Sequence, residues 1–186
     1  MLTGVTTERG AMPAEPEPVV RAAVPADAER VAAIFAHYVT TSVATFEETA
    51  PTTADWRERL GELTGQNLPF LVAGGGRYGS VCGFAYASPW RPKPAYRYTV
   101  EDTVYLSPDC TGRGIGSALL GTLLAGCAAA DARQVIAVIA DTGSGASAAL
   151  HRRFGFTQAG LLSGVGRKHG RWIDTLLMQK ELEPAR

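Results

Sequence analysis

Between Tyr96 and Ala130 an apolar strand runs into a glycine-rich turn that opens a long helix, and this unit constrains the fold more than any other stretch. The strand reads Tyr98-Thr99-Val100-Glu101-Asp102-Thr103-Val104-Tyr105-Leu106, and the turn Thr111-Gly112-Arg113-Gly114-Ile115-Gly116-Ser117. In the helix, Ile115, Leu119, Leu123 and Cys127 repeat at helical spacing and predict its buried stripe. A turn of this kind leaves backbone N–H groups unpaired at the positive end of a helix, where a phosphate or pyrophosphate binds. Its glycines let an anion approach the backbone closely. Glu101 lies on the strand that feeds the turn, so a carboxylate and an anion cradle fall in one unit.

The turn alone fits an ordinary connection as well as a phosphate loop. With 21 glycines in 186 residues such runs also arise by chance. The Gly-Lys-Ser/Thr ending of a P-loop is missing, and the spacing is not that of a dinucleotide-binding fold. A second run, Gly74-Gly75-Gly76-Arg77-Tyr78-Gly79, competes for the role, but no helical pattern follows it and it reads as a hairpin turn.

Other elements follow from periodicity and turn signals. Val19 to Val24 reads as a strand, and Pro25-Ala26-Asp27 starts a helix with Ala28, Val31, Phe35 and Tyr38 on one face. Thr52 or Thr53 caps a second helix, with Trp56, Leu60 and Leu63 inward. Strands are expected over 70–73, 80–88, 97–106 and 135–140, a short helix over 147–154, and a closing hairpin over 156–165 and 172–180. The clustered prolines and polar residues of 1–18 predict a disordered tail, leaving one folded domain over 19–183.

Composition narrows the function. Hydrophobic residues make up 46% and charged residues 19%, which excludes a disordered chain, and zero formal charge gives no field toward nucleic acid or an anionic membrane. The basic group Arg167, Lys168 and Arg171 reads as a solvated turn. No apolar run approaches the ~20 residues of a membrane span, and the start lacks the pattern of a secretory signal. A cytoplasmic enzyme is the expectation. The three cysteines Cys82, Cys110 and Cys127 have unrelated spacings that indicate neither a disulfide framework nor a metal site; Cys82 and Cys127 read as buried and Cys110 as more exposed.

Four segments, Ala85 to Trp90, Ala95 to Leu106, Leu150-His151-Arg152-Arg153-Phe154-Gly155-Phe156 and Gly166-Arg167-Lys168-His169-Gly170-Arg171-Trp172-Ile173-Asp174, give residues 19–181 a clear likeness. They resemble the signatures of the phosphinothricin and methionine sulfoximine N-acetyltransferases, a branch of the GCN5-related acyl-CoA transferases. The resemblance implies a single-domain α/β fold whose mixed central sheet, flanked by helices, splays between its two central strands to admit acetyl-CoA. It also implies a homodimer, with acetyl-CoA as co-substrate and no metal.

Carried over by residue, Val104, Tyr105 and Leu106 would bind the pantetheine arm through their backbone, and Thr111, Gly112, Arg113, Gly114, Ile115, Gly116 and Ser117 the pyrophosphate. Glu101 would be the general base that an α-amine, protonated at neutral pH, needs before it attacks. Flanking valines predict some desolvation of Glu101, and Asp102 alternates to the other face. His151 would move a proton at the acyl site, and Tyr105 is a further donor to the leaving thiolate unless it is simply core. Phe46 would cover the amino acid, while Arg91, Tyr96 and Arg97, with Lys93 as another candidate, are placed to meet its α-carboxylate.

Three positions depart from the resembled pattern. Thr111 replaces Gln or Arg at the head of the pyrophosphate loop, Ser144 replaces an Asn at a cofactor position, and Glu47 replaces an Arg after the loop phenylalanine. Glu47 favours methionine sulfoximine or sulfone, whose heads are less anionic than that of phosphinothricin. Two other classes remain at this point: an acetyltransferase for a polyamine or aminoglycoside, which would want acidic residues around the amine, and a non-catalytic acyl-CoA-binding domain, against which Glu101 argues.

Overall fold

The structure is a computed structural model, and it describes residues 18–75 and 80–183. The expected tail, apart from Pro18, and the tip of the glycine hairpin lie outside the described residues. Seven strands, β1 (Val19–Ala22), β2 (Phe70–Gly74), β3 (Val81–Pro89), β4 (Thr99–Leu106), β5 (Gln134–Ala140), β6 (Thr157–Lys168) and β7 (Arg171–Glu181), form one mixed sheet in the order β1-β2-β3-β4-β5-β7-β6. β4 and β5 run parallel, and the other neighbouring pairs are antiparallel.

Helices α1 (Ala28–Thr41) and α2 (Thr53–Gly65) cover one face, where Val31, Phe35, Trp56 and Leu60 pack on Phe70, Val72, Phe84 and Tyr86. The opposite face takes α3 (Ile115–Ala129), whose Ile115, Leu119, Leu123 and Cys127 are fully buried on the expected stripe. The short helix α4 (Ala146–Arg153) leans on the same side. Thr52 caps α2: its hydroxyl accepts from Asp55 N at 3.2 Å while the Asp55 carboxylate accepts from Thr52 N at 2.7 Å.

Two strands are shorter by two residues than the sequence reading, in each case because a local hydrogen bond competes with the ladder. β1 stops at Ala22 because Val24 N is captured by the Asp27 carboxylate, which also accepts two bonds from Arg21 at 2.6 and 2.7 Å. β4 starts at Thr99 because residues Pro94–Tyr96 form a tight turn in which Arg97 N bonds Pro94 O.

Another difference moves functional residues. The closing hairpin turns at His169 and Gly170, with φ of 48° and 74°, so the strands extend to Lys168 and from Arg171. A two-residue turn with positive φ at both positions matches the twist of the strands it joins. Lys168 is therefore a strand residue and is 4% exposed, where the sequence reading placed it in a solvated turn.

Candidate active site

The β4–β5 ladder holds only four residue pairs, from Thr99–Gln134 to Asp102–Ala137. β3 stays paired with β4 as far as Leu106, and β5 follows β7 to Ala140, so the two central strands part company after Asp102. Among the described residues the β5-side edge of Thr103, Val104, Tyr105 and Leu106 has no ladder partner, and its free backbone groups could pair with an extended ligand such as a pantetheine arm. The Leu106 carbonyl accepts one bond from the Tyr38 hydroxyl at 2.7 Å. The Tyr105 ring packs on Phe35, Tyr38 and Phe84, and its hydroxyl donates to Ala44 O at 3.0 Å; the side chain is core.

At the end of β4 the glycine turn meets α3. Gly112 and Gly114 have φ of 72° and 78°, and a Cβ at either would meet no atom within 4 Å. Glycine is required there for its left-handed backbone, and the space in front is open. Gly114 caps α3 with no side-chain bond, and among the described residues the N–H groups of Ile115, Gly116 and Ser117 have no acceptor. Orphan donors at the start of a 15-residue helix suit a pyrophosphate. Arg113 is exposed beside them, Thr111 bonds back to Pro108 O at 3.1 Å, and Arg153 reaches the Ser117 hydroxyl at 3.4 Å. Ser144 is exposed before α4, its hydroxyl 3.0 Å from that of Thr142. This set of donors and the open strand edge fit the two ends of an acyl-CoA.

Glu101 is half-buried on the face of β4 that also carries Tyr105. Burial, reinforced by the neighbouring Asp102 charge and partly offset by Arg91, pushes its carboxyl above the ordinary value. Arg91 lies near enough to act on Glu101 while its guanidinium stacks on Trp90 at 4.6 Å. Arg97 is turned to Tyr98, 4.5 Å from the ring, with a bond to Pro94 O at 3.3 Å. Tyr96 and Phe46 are each partly open to solvent, at 44% and 40%.

His151 takes a different position from Glu101. Its ring is 4% exposed and faces the α3–α4 side of the sheet. Nδ1 lies 2.7 Å from Ser147 O and Nε2 2.9 Å from Asp102 Oδ2. A carbonyl only accepts, so Nδ1 carries a proton, and a single further proton lies between Nε2 and the carboxylate. Burial lowers the affinity of His151 for that proton, but the bonds to Asp102 and Ser147 more than offset it, and the ring titrates above the usual value. Both ring nitrogens are engaged, so direct exchange with a substrate requires one of these bonds to open. Asp102 Oδ1 has no partner among the described residues, which leaves His151 as the main support of a buried carboxylate.

Sequence reasoning missed two participants, Asp102 and Lys168. Asp102 faces away from Glu101, as strand alternation requires, and finds His151 there. Lys168 reaches from β6 to the loop after α1, donating to Thr45 O at 2.8 Å with Tyr38 O at 3.5 Å. Burial pulls its ammonium below the ordinary range, against the carboxylates of Glu47 and Glu48. The signal available in the sequence was the His169-Gly170 turn, which puts Gly166 and Lys168 on one face of a strand. Cys110 is 7% exposed rather than open, because its thiol packs against the buried thiol of Cys82.

The family profile described as Acetyltransferase (GNAT) family matches residues 31–156, a span that runs from α1 through the splay, the glycine turn and His151. The chain belongs to this family of acyl-CoA N-acyltransferases. It is 48% identical over 156 residues to a phosphinothricin N-acetyltransferase of Alcaligenes faecalis, covering 84% of this chain and 78% of that one. It is 36% identical over 167 residues to an L-methionine sulfoximine/L-methionine sulfone acetyltransferase of Pseudomonas paraeruginosa, covering 90% and 96%. The crystal structure of a phosphinothricin acetyltransferase from Sinorhizobium meliloti in complex with acetyl-CoA matches with a TM-score of 0.84 and 44% identity, over 90% of this chain and 93% of that one. Among the described residues no group of side chains is arranged to hold a metal ion, and no helix is long and apolar enough to cross a membrane.

Proposed function

We propose that the protein transfers an acetyl group from acetyl-CoA to the α-amine of a small amino-acid analogue of the methionine sulfoximine, methionine sulfone or phosphinothricin type. The observation that carries this reading is Glu101, a half-buried carboxylate with a raised pKa one residue before the strands separate. An α-ammonium must lose a proton to attack, and a base whose pKa is lifted toward neutrality does this best. The names of the relatives support the substrate class.

Acetyl-CoA, when bound, supplies an acyl group already activated as a thioester. The unpaired edge of Val104–Leu106 and the N–H groups of residues 112–117 would hold it. Glu101 takes the amine proton directly or through water. Arg91 neutralises the α-carboxylate and keeps part of the Glu101 charge in check, with Tyr96 and Arg97 at the outer rim. Phe46 covers the apolar part of the substrate. His151, with both nitrogens engaged, keeps α4 on the end of the splay through Asp102.

Exposed Leu161, Leu162, Val165 and Trp172 on the closing hairpin support the homodimer, and we place the enzyme in the cytoplasm. A thiol-release assay over a panel of amines tests the substrate class. Methionine sulfoximine or sulfone is expected to exceed phosphinothricin, because Glu47 and Glu48 disfavour a second anion. Amines without an α-carboxylate are expected to be poor; preference for a polyamine overturns the reading.

A further inference from the structure

Three consecutive residues of the loop between α1 and α2 are each held by a strand. The Ala44 carbonyl accepts from the Tyr105 hydroxyl of β4 at 3.0 Å. The Thr45 carbonyl accepts from the Lys168 ammonium of β6 at 2.8 Å. The Phe46 ring lies against Gly166 of β6, in the space that any Cβ there would fill. The loop also closes on itself, with Ala44 N bonded to the Ser42 hydroxyl at 3.0 Å and Glu47 N to that of Thr45 at 3.2 Å.

Two of these holds come from one strand face. Gly166 and Lys168 alternate inward on β6 while Arg167 points out, so the glycine seats the ring and the lysine fixes the backbone one residue before it. Lys168 is also placed at the C-terminal end of α1, where Tyr38 O lies 3.5 Å away and a cation meets the negative end of the helix dipole. A lysine with 4% exposure gives up most of its hydration, and a surface role does not account for that. The third hold connects the loop to the base: Tyr105 and Glu101 share a face of β4, about 13 Å apart along the strand at 3.3 Å per residue.

We propose that Lys168 is a positioning residue for substrate selection: by tying Thr45 to the closing hairpin it fixes Phe46 over the amine site, making this loop a preset wall instead of a lid. The proposal rests on the reading that an amino-acid analogue binds between Glu101 and Phe46. It assigns selectivity for the amine substrate to a residue from the opposite end of the chain, and it gives Gly166 a stated role as the seat of the ring.

The test is Lys168→Met, which keeps the length of the side chain and removes its donors. Losing a hydrogen bond to a charged donor costs about tenfold or more in the equilibrium it supports. The KM for methionine sulfoximine is expected to rise by about that factor, while the KM for acetyl-CoA and kcat at saturating amine each stay within about threefold. Hydrogen exchange over residues 42–48 of the unliganded protein is expected to quicken by a similar factor, with that of α3 unchanged. An unmoved amine KM, or unchanged exchange in the loop, overturns the proposal. If wild type acetylates no amino-acid analogue, the functional reading fails on its own, and the exchange arm still reads the tie. Should Lys168→Met not fold, Gly166→Ala carries the test: a methyl there displaces the Phe46 ring with Lys168 intact, and an unmoved amine KM then refutes the role of the wall.

Discussion

Replacing Asp102 probes the buried pair that joins β4 to α4. The side chains of His151 and Asp102 are 4% and 2% exposed, so neither Nε2 nor the carboxylate can fall back on water. Asp102→Ala leaves Nε2 without a partner in a dry site, and breaking a buried ion pair in this way costs about 3–5 kcal/mol. In a domain of this size 1 kcal/mol moves the melting temperature by about 2–4 °C, so the expected loss is about 6–20 °C. Asp102→Asn is milder, because an amide N–H can donate to Nε2 of a neutral ring; it forfeits the charge-assisted part of the bond, about 1–2 kcal/mol or about 2–8 °C.

The two forms also differ in their response to pH. The folded protein holds His151 above its ordinary pKa, so the stabilisation it provides is complete below about pH 6.5 and is lost as pH rises through the folded value. Calorimetric melting from pH 6 to 9 should show wild type converging on Asp102→Asn at the alkaline end. A gap that does not change with pH, or an alanine variant that melts within about 2 °C of wild type, refutes the shared-proton arrangement.

Glu101→Gln keeps the shape of the base without its proton affinity, and turnover is expected to fall by roughly a hundredfold or more with acetyl-CoA binding unchanged; near-normal turnover removes Glu101 from the role. Because burial lifts the Glu101 carboxyl, the acid limb of kcat/KM should lie above the ordinary carboxylate value, and Arg91→Gln, which removes the offsetting charge, should move it higher still. Ser144→Asn should tighten acetyl-CoA by at most about fivefold, the scale of one neutral hydrogen bond, as read by titration calorimetry. Thr111→Arg should gain more at low salt than at high salt, and an equal gain at both would mean that the added charge does not reach the pyrophosphate.

Much of this architecture was legible in the chain because its causes are local. The stripe Ile115, Leu119, Leu123 and Cys127 needs only helical periodicity and a sheet to lie on, and all four are fully buried. The cap of α2 falls to Thr52, one of the two threonines the sequence offers there, and the glycine turn opens α3 where the sequence places it. Strand alternation alone separated Glu101 from Asp102. Motif resemblance supplied the splay, and backbone pairing then set where it begins, at the four-pair limit of the β4–β5 ladder.

Contacts between distant segments were decided only by the tertiary structure. The partner of His151 lies 49 residues away on β4, and the loop that Lys168 holds lies 123 residues before it. A basic cluster alone gives no sign that the Lys168 ammonium will be buried; the His169-Gly170 turn sets its strand face, and only the packing of that face on the loop after α1 buries it. Periodicity reports which face of an element leaves water, and a polar side chain on that face is then satisfied by whatever the fold brings opposite. Sequence thus determined the elements, their buried faces and the residues able to do the chemistry, and tertiary packing decided which of those polar groups meet.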